Sequence, residues 1–241
     1  MIKAAIDRIL ELGKVEILNI HGDDYSTKPI NRIDNEQRAN AIDMFTLSGL
    51  IEYIKNTHDK KPNNSYIVHI KSPTEVQLIS ELDRDRKREV LAIVHAETPE
   101  FRFNHEIERE QFTIGVQSKF VDGQDDDKAL ILKFAGTVKN GSVTEYSDDG
   151  VSHKATVKNG VSTMTEAIVP SPCTLTPYRT FTEVTQPKSQ FIFRLNEGRD
   201  NVIYCALYEA DGNAWRVDAK RNIKEYLDAQ LKGVPNLMII S

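Results

Sequence analysis

Long apolar runs are missing from this sequence. Across 241 residues no stretch of about 18 apolar residues occurs, so no helix of bilayer-spanning length is expected. The opening segment MIKAAIDRILELGKVEIL is interrupted by Asp7, Arg8 and Glu11 and does not read as a signal peptide. With no lipidation box either, the chain is expected to stay in the cytoplasm, away from membranes. Cysteine is scarce: Cys173 and Cys205 stand alone, too few for a disulfide framework or a metal-binding cysteine cluster. Both are expected to be buried thiols packing as small hydrophobes. A basic excess is also lacking. Lys plus Arg is 31 against 36 for Asp plus Glu, a net charge of −5, which counts against a dedicated duplex-DNA binder but leaves room for a local basic patch.

Catalytic signatures are absent as well. The sequence has no G-x-x-x-x-G-K-[ST], no G-x-G-x-x-G behind a strand, no G-x-S-x-G and no H-E-x-x-H. One partial match fails on chemistry. His95-Ala96-Glu97 followed by Pro172-Cys173 resembles the zinc deaminase pattern, which requires a second cysteine three residues on. That position holds Thr176, and one thiolate with one imidazole cannot hold a zinc that keeps a water position open. No metal site and no cofactor is therefore expected. The run Asp125-Asp126-Asp127 reads as helix capping and dipole complementation, and the tip around Asp83–Asp85 as a solvated loop.

What is present is a varied, ordinary globular composition, 39% hydrophobic and 28% charged. Residues 1–20 carry a short amphipathic helix through Ile2, Ala5, Ile6, Ile9 and Leu10, ending near Gly13. Residues 21–40 are polar and turn-rich and read as an extended arm. Residues 41–57 return to helical period through Ile42, Phe45, Leu50, Ile51 and Ile54. Strands are expected at Tyr66–Lys71, Glu75–Ile79 and Val90–His95, then helices at about Glu106–Phe120 and Asp125–Lys139. A period-2 pattern then gives a β-meander: Val143–Tyr146, Val151–Val157 and Val161–Val169. The proline-rich segment Pro170–Pro187 reads as extended crossover chain. Strands follow at Phe191–Leu195 and Val202–Glu209, a short one at Trp215–Val217, and a helix over residues 218–232.

These elements do not alternate as βαβα, so the fold class is α+β. Its parts are a helical N-terminal region over residues 1–65 and a body over 66–241. The body combines a central helix pair, an antiparallel β-meander and a C-terminal helix. The apolar tail, residues 234–241, is expected to pack into the core or onto a second copy. Arm and tail together point to a homo-oligomer.

The richest candidate surface lies in the second half. Tyr178, Arg179, Lys188, Arg194, Trp215 and Arg216 mix flat aromatic faces with cations, a combination suited to base stacking and charge-assisted bonds to phosphate. The same residues also suit a structural role, with Trp215 anchoring the last helix and Arg194 solvated.

Ordered segments carry a resemblance over about residues 66–232: VHIKSPTEVQLI, DDGVSHKATVKNGV, TLTPYRTFTEVTQPKSQFIFRL and ALYEADGNAWRVDAKRNIKEYL. They resemble an uncharacterised family encoded by tailed phages and prophages. The resemblance implies a phage protein acting in the cytoplasm of an infected bacterium, and it transfers no catalytic residue. With the lack of catalytic motifs, it leads to the expectation of a non-enzymatic, self-assembling protein. Such a protein would sequester a small anionic, nucleotide-type host defence signal. Competing readings are a single-stranded nucleic-acid binder of phage replication or recombination, which the acidic balance opposes, and a structural or shell-forming phage component. A fourth is a metal-dependent nuclease using Asp83, Asp85 or the Asp125–Asp127 run.

Overall fold

The computed structural model describes residues 2–20, 23–28, 38–56, 59, 64–83, 86–123, 125–137, 143–148, 152–159, 163–198 and 202–241. The chain divides into two compact units, residues 1–39 and 40–241. The first unit holds α1 (Ile2–Gly13) and an antiparallel hairpin of β1 (Ile17–Ile20) and β2 (Asp23–Ser26), so part of the expected arm is a strand. Residues 29–37 of that arm lie outside the described residues.

The second unit is built on two sheets with separate cores. The first is mixed and five-stranded. It contains β3 (Ile42–Met44), β4 (Tyr66–Ser72), β5 (Glu75–Ser80), β6 (Val90–His95) and β14 (Leu237–Ile240), in the order β14-β4-β5-β6-β3. Alternation places Tyr66, Val68 and Ile70 of β4 inside, with Val76 and Leu78 of β5 and Ala92 and Val94 of β6. Helices α2 (Leu47–Asn56) and α5 (Ala214–Gln230) cover this face with Leu47, Leu50, Ile51 and Ile54 and with Ile223 and Leu227.

The second sheet is antiparallel. It contains β7 (Ile107–Glu108), β11 (Cys173–Leu175), β12 (Ser189–Glu197) and β13 (Ile203–Glu209), in the order β11-β12-β13-β7. Its core joins Phe191, Phe193 and Leu195 to α3 (Arg109–Lys119) and α4 (Lys128–Thr137) through Phe112, Val116, Ile131 and Phe134. The meander forms a third sheet, β8 (Val143–Asp148), β9 (Ser152–Asn159) and β10 (Thr163–Pro170), in the order β10-β9-β8. Its two expected turns lie outside the described residues. The architecture is α+β, and among the described residues no helix is long and apolar enough to cross a membrane.

Two expectations change. Residues 41–57 are not one helix. Ile42–Met44 pairs in parallel with β6, and the helix starts at Leu47, where the Thr46 hydroxyl accepts from the Gly49 N–H at 3.1 Å and the Glu183 carboxylate accepts from the Ser48 N–H at 3.0 Å. The division between the two compact units falls at 39/40, and α2 is sealed into the five-stranded core. Trp215–Val217 is not a strand. Gly212 and Asn213 take positive φ (60° and 69°) and turn the chain straight into α5, where Trp215, Ala219, Ile223 and Leu227 form one buried stripe four residues apart. The tail, expected to pack into the core or onto a second copy, becomes β14, bonded in parallel to β4 of its own chain with Leu237 and Ile239 against the core.

Between the sheets runs the proline-rich crossover. Cys173 and Leu175 enter one core, while Phe181 and Val184 enter the other. Buried Gln186 fixes the crossing. Its Oε1 accepts from the Arg179 and Thr180 N–H groups (2.9 and 3.2 Å), and its Nε2 donates to the Phe181 and Val184 carbonyls (2.8 and 3.3 Å). The Thr180 hydroxyl donates to the Pro73 carbonyl of the β4–β5 turn.

Candidate functional site

The crossover delivers Arg179 to the place where β12, β13 and the start of α5 meet. Its guanidinium lies over three rings, 4.1 Å from the Phe103 centroid, 4.7 Å from Trp215 and 5.1 Å from Phe191. Phe103 and Phe191 are themselves stacked, 5.3 Å apart at 16°. Asn104 holds Phe103 there from a positive φ of 63°: its N–H donates to the Leu207 carbonyl and its Oδ1 accepts from the Glu209 N–H at 3.0 Å. Asn104 Nδ2 also donates to Glu209 Oε2 at 3.3 Å, which turns Glu209 Oε1 toward Arg179 Nη1, 3.0 Å away.

That contact pairs Nη1 with the carboxylate at hydrogen-bond distance, while Nη2 is buried without a hydrogen-bond partner. Only 8% of Arg179 is exposed, and the same holds for Trp215, whose Nε1 is also buried and unpartnered. Burial pulls the guanidinium below the usual arginine range, and the nearby Glu209 and Asp211 charges pull it back. Arg216 reaches over the outer part of the stack, 5.2 Å from the Trp215 centroid, while its Nε donates to Asn213 Oδ1 at 3.2 Å. Asn213 gives α5 no side-chain cap, and no acidic residue sits in its first turn, so the positive helix end is not neutralised from within the helix. Asp211 precedes it, with Oδ1 accepting from the Asn213 N–H at 3.0 Å and Oδ2 buried without a partner.

Of the six residues singled out from sequence, the structure thus gathers three: Arg179, Trp215 and Arg216. Tyr178 is half-buried and is fastened by its N–H to the Lys119 carbonyl at 3.0 Å. Lys188 lies 4.0 Å from Asp125, with both side chains exposed. Arg194 sits on the β12 face opposite Phe193 and Leu195. Phe103, Asn104, Glu209 and Asp211 complete the cluster. Asp211-Gly212 reads from sequence only as a turn, and nothing local marks the other three.

Elsewhere the chemistry is quiet. Burial pushes both Cys173 and Cys205 up to about 12, so neither is a thiolate at neutral pH. Cys173 lies in β11 and His95 in β6, in different sheets, so the partial deaminase pattern is not assembled. Asp126 Oδ1 accepts from the Lys128 N–H at the start of α4 (3.2 Å), whereas Asp127 Oδ2 accepts from the Thr174 N–H of β11 (2.8 Å) and so ties that helix start to the second sheet. Among the described residues no group of three His, Cys, Asp or Glu could hold a metal ion. Asp83 closes its hairpin by accepting from the Lys87 N–H at 2.8 Å, and Asp85 lies outside the described residues. A separate groove of about 550 Å³ opens beside β4 and β14, between Tyr66, Glu81, Leu82, Arg88, Leu237 and Met238.

Comparison with protein-family models, with curated proteins and with solved structures gives no match.

Proposed function

We propose that this protein works by binding rather than by catalysis, and that its ligand is a small anion of the nucleotide class held at the Arg179–Trp215–Arg216 cluster. The observation that carries this reading is the set of unspent polar atoms around one aromatic wall. Arg179 Nη2 and Trp215 Nε1 are donors without a partner, beside the start of α5, which has no side-chain cap, and the exposed Arg216. Asp211 Oδ2 offers an acceptor in the same place, beside the Glu209 carboxylate that already pairs with Arg179.

The mixture favours a ligand with two chemistries. A phosphate suits Arg216 and the start of α5, while hydroxyl or base N–H groups suit the carboxylates, and a base suits the indole face. Inorganic phosphate alone would meet two carboxylates with nothing to give them. The buried thiols and the structural hydrogen bonds that engage Asp126 and Asp127 favour binding over turnover. The resemblance to phage and prophage proteins extends the proposal: the ligand would be a host defence nucleotide, removed from the infected cell's cytoplasm by sequestration.

Native mass spectrometry of the folded chain with ADP-ribose and with a cyclic dinucleotide tests the reading. A stoichiometric adduct with at least one of them is expected. A folded chain that retains neither, and from which solvent extraction releases no nucleotide, would overturn it.

A further inference from the structure

Buried polar atoms that lack a partner are confined to one corner of the molecule. Among the described residues, the buried side-chain nitrogens and oxygens without a hydrogen-bond partner belong to Arg179, Ser189, Asp211 and Trp215. Topology gathers these residues. The β12–β13 ladder pairs Phe191 with Glu209, and the Ala210 N–H carries it one step further by donating to the Gln190 carbonyl at 2.9 Å. The next pair in that register is Ser189 with Asp211. Alternation along β12 turns Ser189 to the same face as Phe191, whose ring lies under the Arg179 guanidinium. Trp215 closes on the same guanidinium from the start of α5. Ser189 is only 3% exposed, yet its neighbours Lys188 and Gln190 are exposed, as are Gly212 and Asn213 beside Asp211. The corner lies directly beneath the surface.

The four residues set a pattern. Arg179 Nη2 and Trp215 Nε1 only donate, the carboxylate oxygen Asp211 Oδ2 only accepts, and the Ser189 hydroxyl does either. A phosphate accepts without donating, and its charge would sit beside that of Asp211. A base edge holds its donors and acceptors fixed in one plane, and the base has a better place on the indole face. Two neighbouring hydroxyls match the set. Each accepts and donates, each rotates to suit, and neither brings charge into a buried place.

Resting on the reading of this cluster as a nucleotide site, we infer that Ser189 and Asp211 receive the free vicinal diol of a ribose. The diol donates to Asp211 Oδ2 and Ser189 Oγ and accepts from Arg179 Nη2 and Trp215 Nε1. The phosphate is left to Arg216 and the start of α5. This makes Ser189 a specificity-determining residue, a role that nothing local in the sequence marks. It also narrows the ligand class. ADP and ADP-ribose carry a free ribose diol, whereas a cyclic dinucleotide has one hydroxyl of each ribose tied into its phosphodiester.

Calorimetric titration of the full chain with ADP, 2′-deoxy-ADP and a cyclic dinucleotide tests the assignment. ADP is expected to bind about 10-fold or more tightly than 2′-deoxy-ADP, because the missing hydroxyl leaves a buried group unpaired. In the double variant Ser189→Ala with Asp211→Asn, that preference should shrink to within about 3-fold, mainly through weaker binding of ADP. The wild-type comparison stands even where the variant fails to fold. Equal affinity for ADP and 2′-deoxy-ADP, or a cyclic dinucleotide bound more tightly than ADP, would overturn the diol and leave the nucleotide site standing. A preference for ADP that the double variant keeps in full would overturn the roles of Ser189 and Asp211. A folded chain that binds none of the three, nor ADP-ribose, would bring down the nucleotide site itself and the diol with it.

Discussion

Two buried cations, Lys128 and Arg179, sit in the same unit and are treated in opposite ways. Lys128 spends every donor. Its ammonium donates to the Gln117 and Phe120 carbonyls at the end of α3 (3.2 and 2.7 Å) and to the Asp122 carboxylate. It neutralises the negative end of one helix from the first turn of the next and so joins α3 to α4. Arg179 is buried as deeply but surrounded by ring faces, with the Glu209 carboxylate 3.0 Å from Nη1 and no partner for Nη2. A cation whose hydrogen bonds are complete serves the fold. One held by π faces keeps its donors for something else, at a standing cost in stability.

If that contrast is correct, Lys128→Met should be the most damaging change to stability. It leaves two helix-end carbonyls without their partner, and urea unfolding should register a loss of about 2–4 kcal/mol. Ligand affinity in the surviving folded fraction should be unchanged. Arg179→Met should reverse the pattern. The single change leaves Glu209 unpaired, so the stability comparison uses Arg179→Met with Glu209→Gln: replacing a buried ion pair as a whole is often close to neutral, and stability of the double variant should move by no more than about 1 kcal/mol. Nucleotide affinity should fall by roughly 30-fold or more, the loss expected for a charge-assisted contact. A large stability loss with unchanged affinity would move Arg179 into the same class as Lys128.

Finer changes sharpen the comparison. Trp215→Phe keeps a stacking face and removes only the indole donor, so affinity should drop by about 3–10-fold, read by calorimetry. Arg216→Gln touches an exposed group. Stability should stay within about 0.5 kcal/mol, affinity should weaken by roughly 3-fold, and the salt dependence of binding should flatten.

Much of this fold was legible from periodicity. The strands at Tyr66, Glu75 and Val90, the stripe Phe112–Val116–Phe120 and the meander all stand where alternation or helical spacing puts them. Failures came where a short apolar run serves either period. Ile42 fits both a helix and a strand, and only its pairing with Ala92 decides. Trp215 reads as a strand residue until the positive φ angles at Gly212 and Asn213 set the helix start. In α4 the buried face runs through Ile131, Phe134 and Ala135, while Leu130 is partly exposed.

The candidate site was legible in composition only. Arg179, Trp215 and Arg216 announced themselves as residue types suited to a ligand. Phe103 and Asn104 did not, because their roles depend on β13 and the crossover closing around one guanidinium. Lys188 and Arg194 were picked out for the same chemistry, yet Lys188 faces Asp125 and Arg194 the outer side of β12. Tertiary closure, not residue type, separates the two groups.

Trp215 is the sole tryptophan of the chain, so its emission reports this site without any label. The most direct test is therefore a fluorescence titration of the folded protein with ADP-ribose and a cyclic dinucleotide. The account predicts a saturable change in Trp215 emission with at least one of them, weakened by salt and abolished by Arg179→Met. Emission that stays constant to millimolar nucleotide would contradict it.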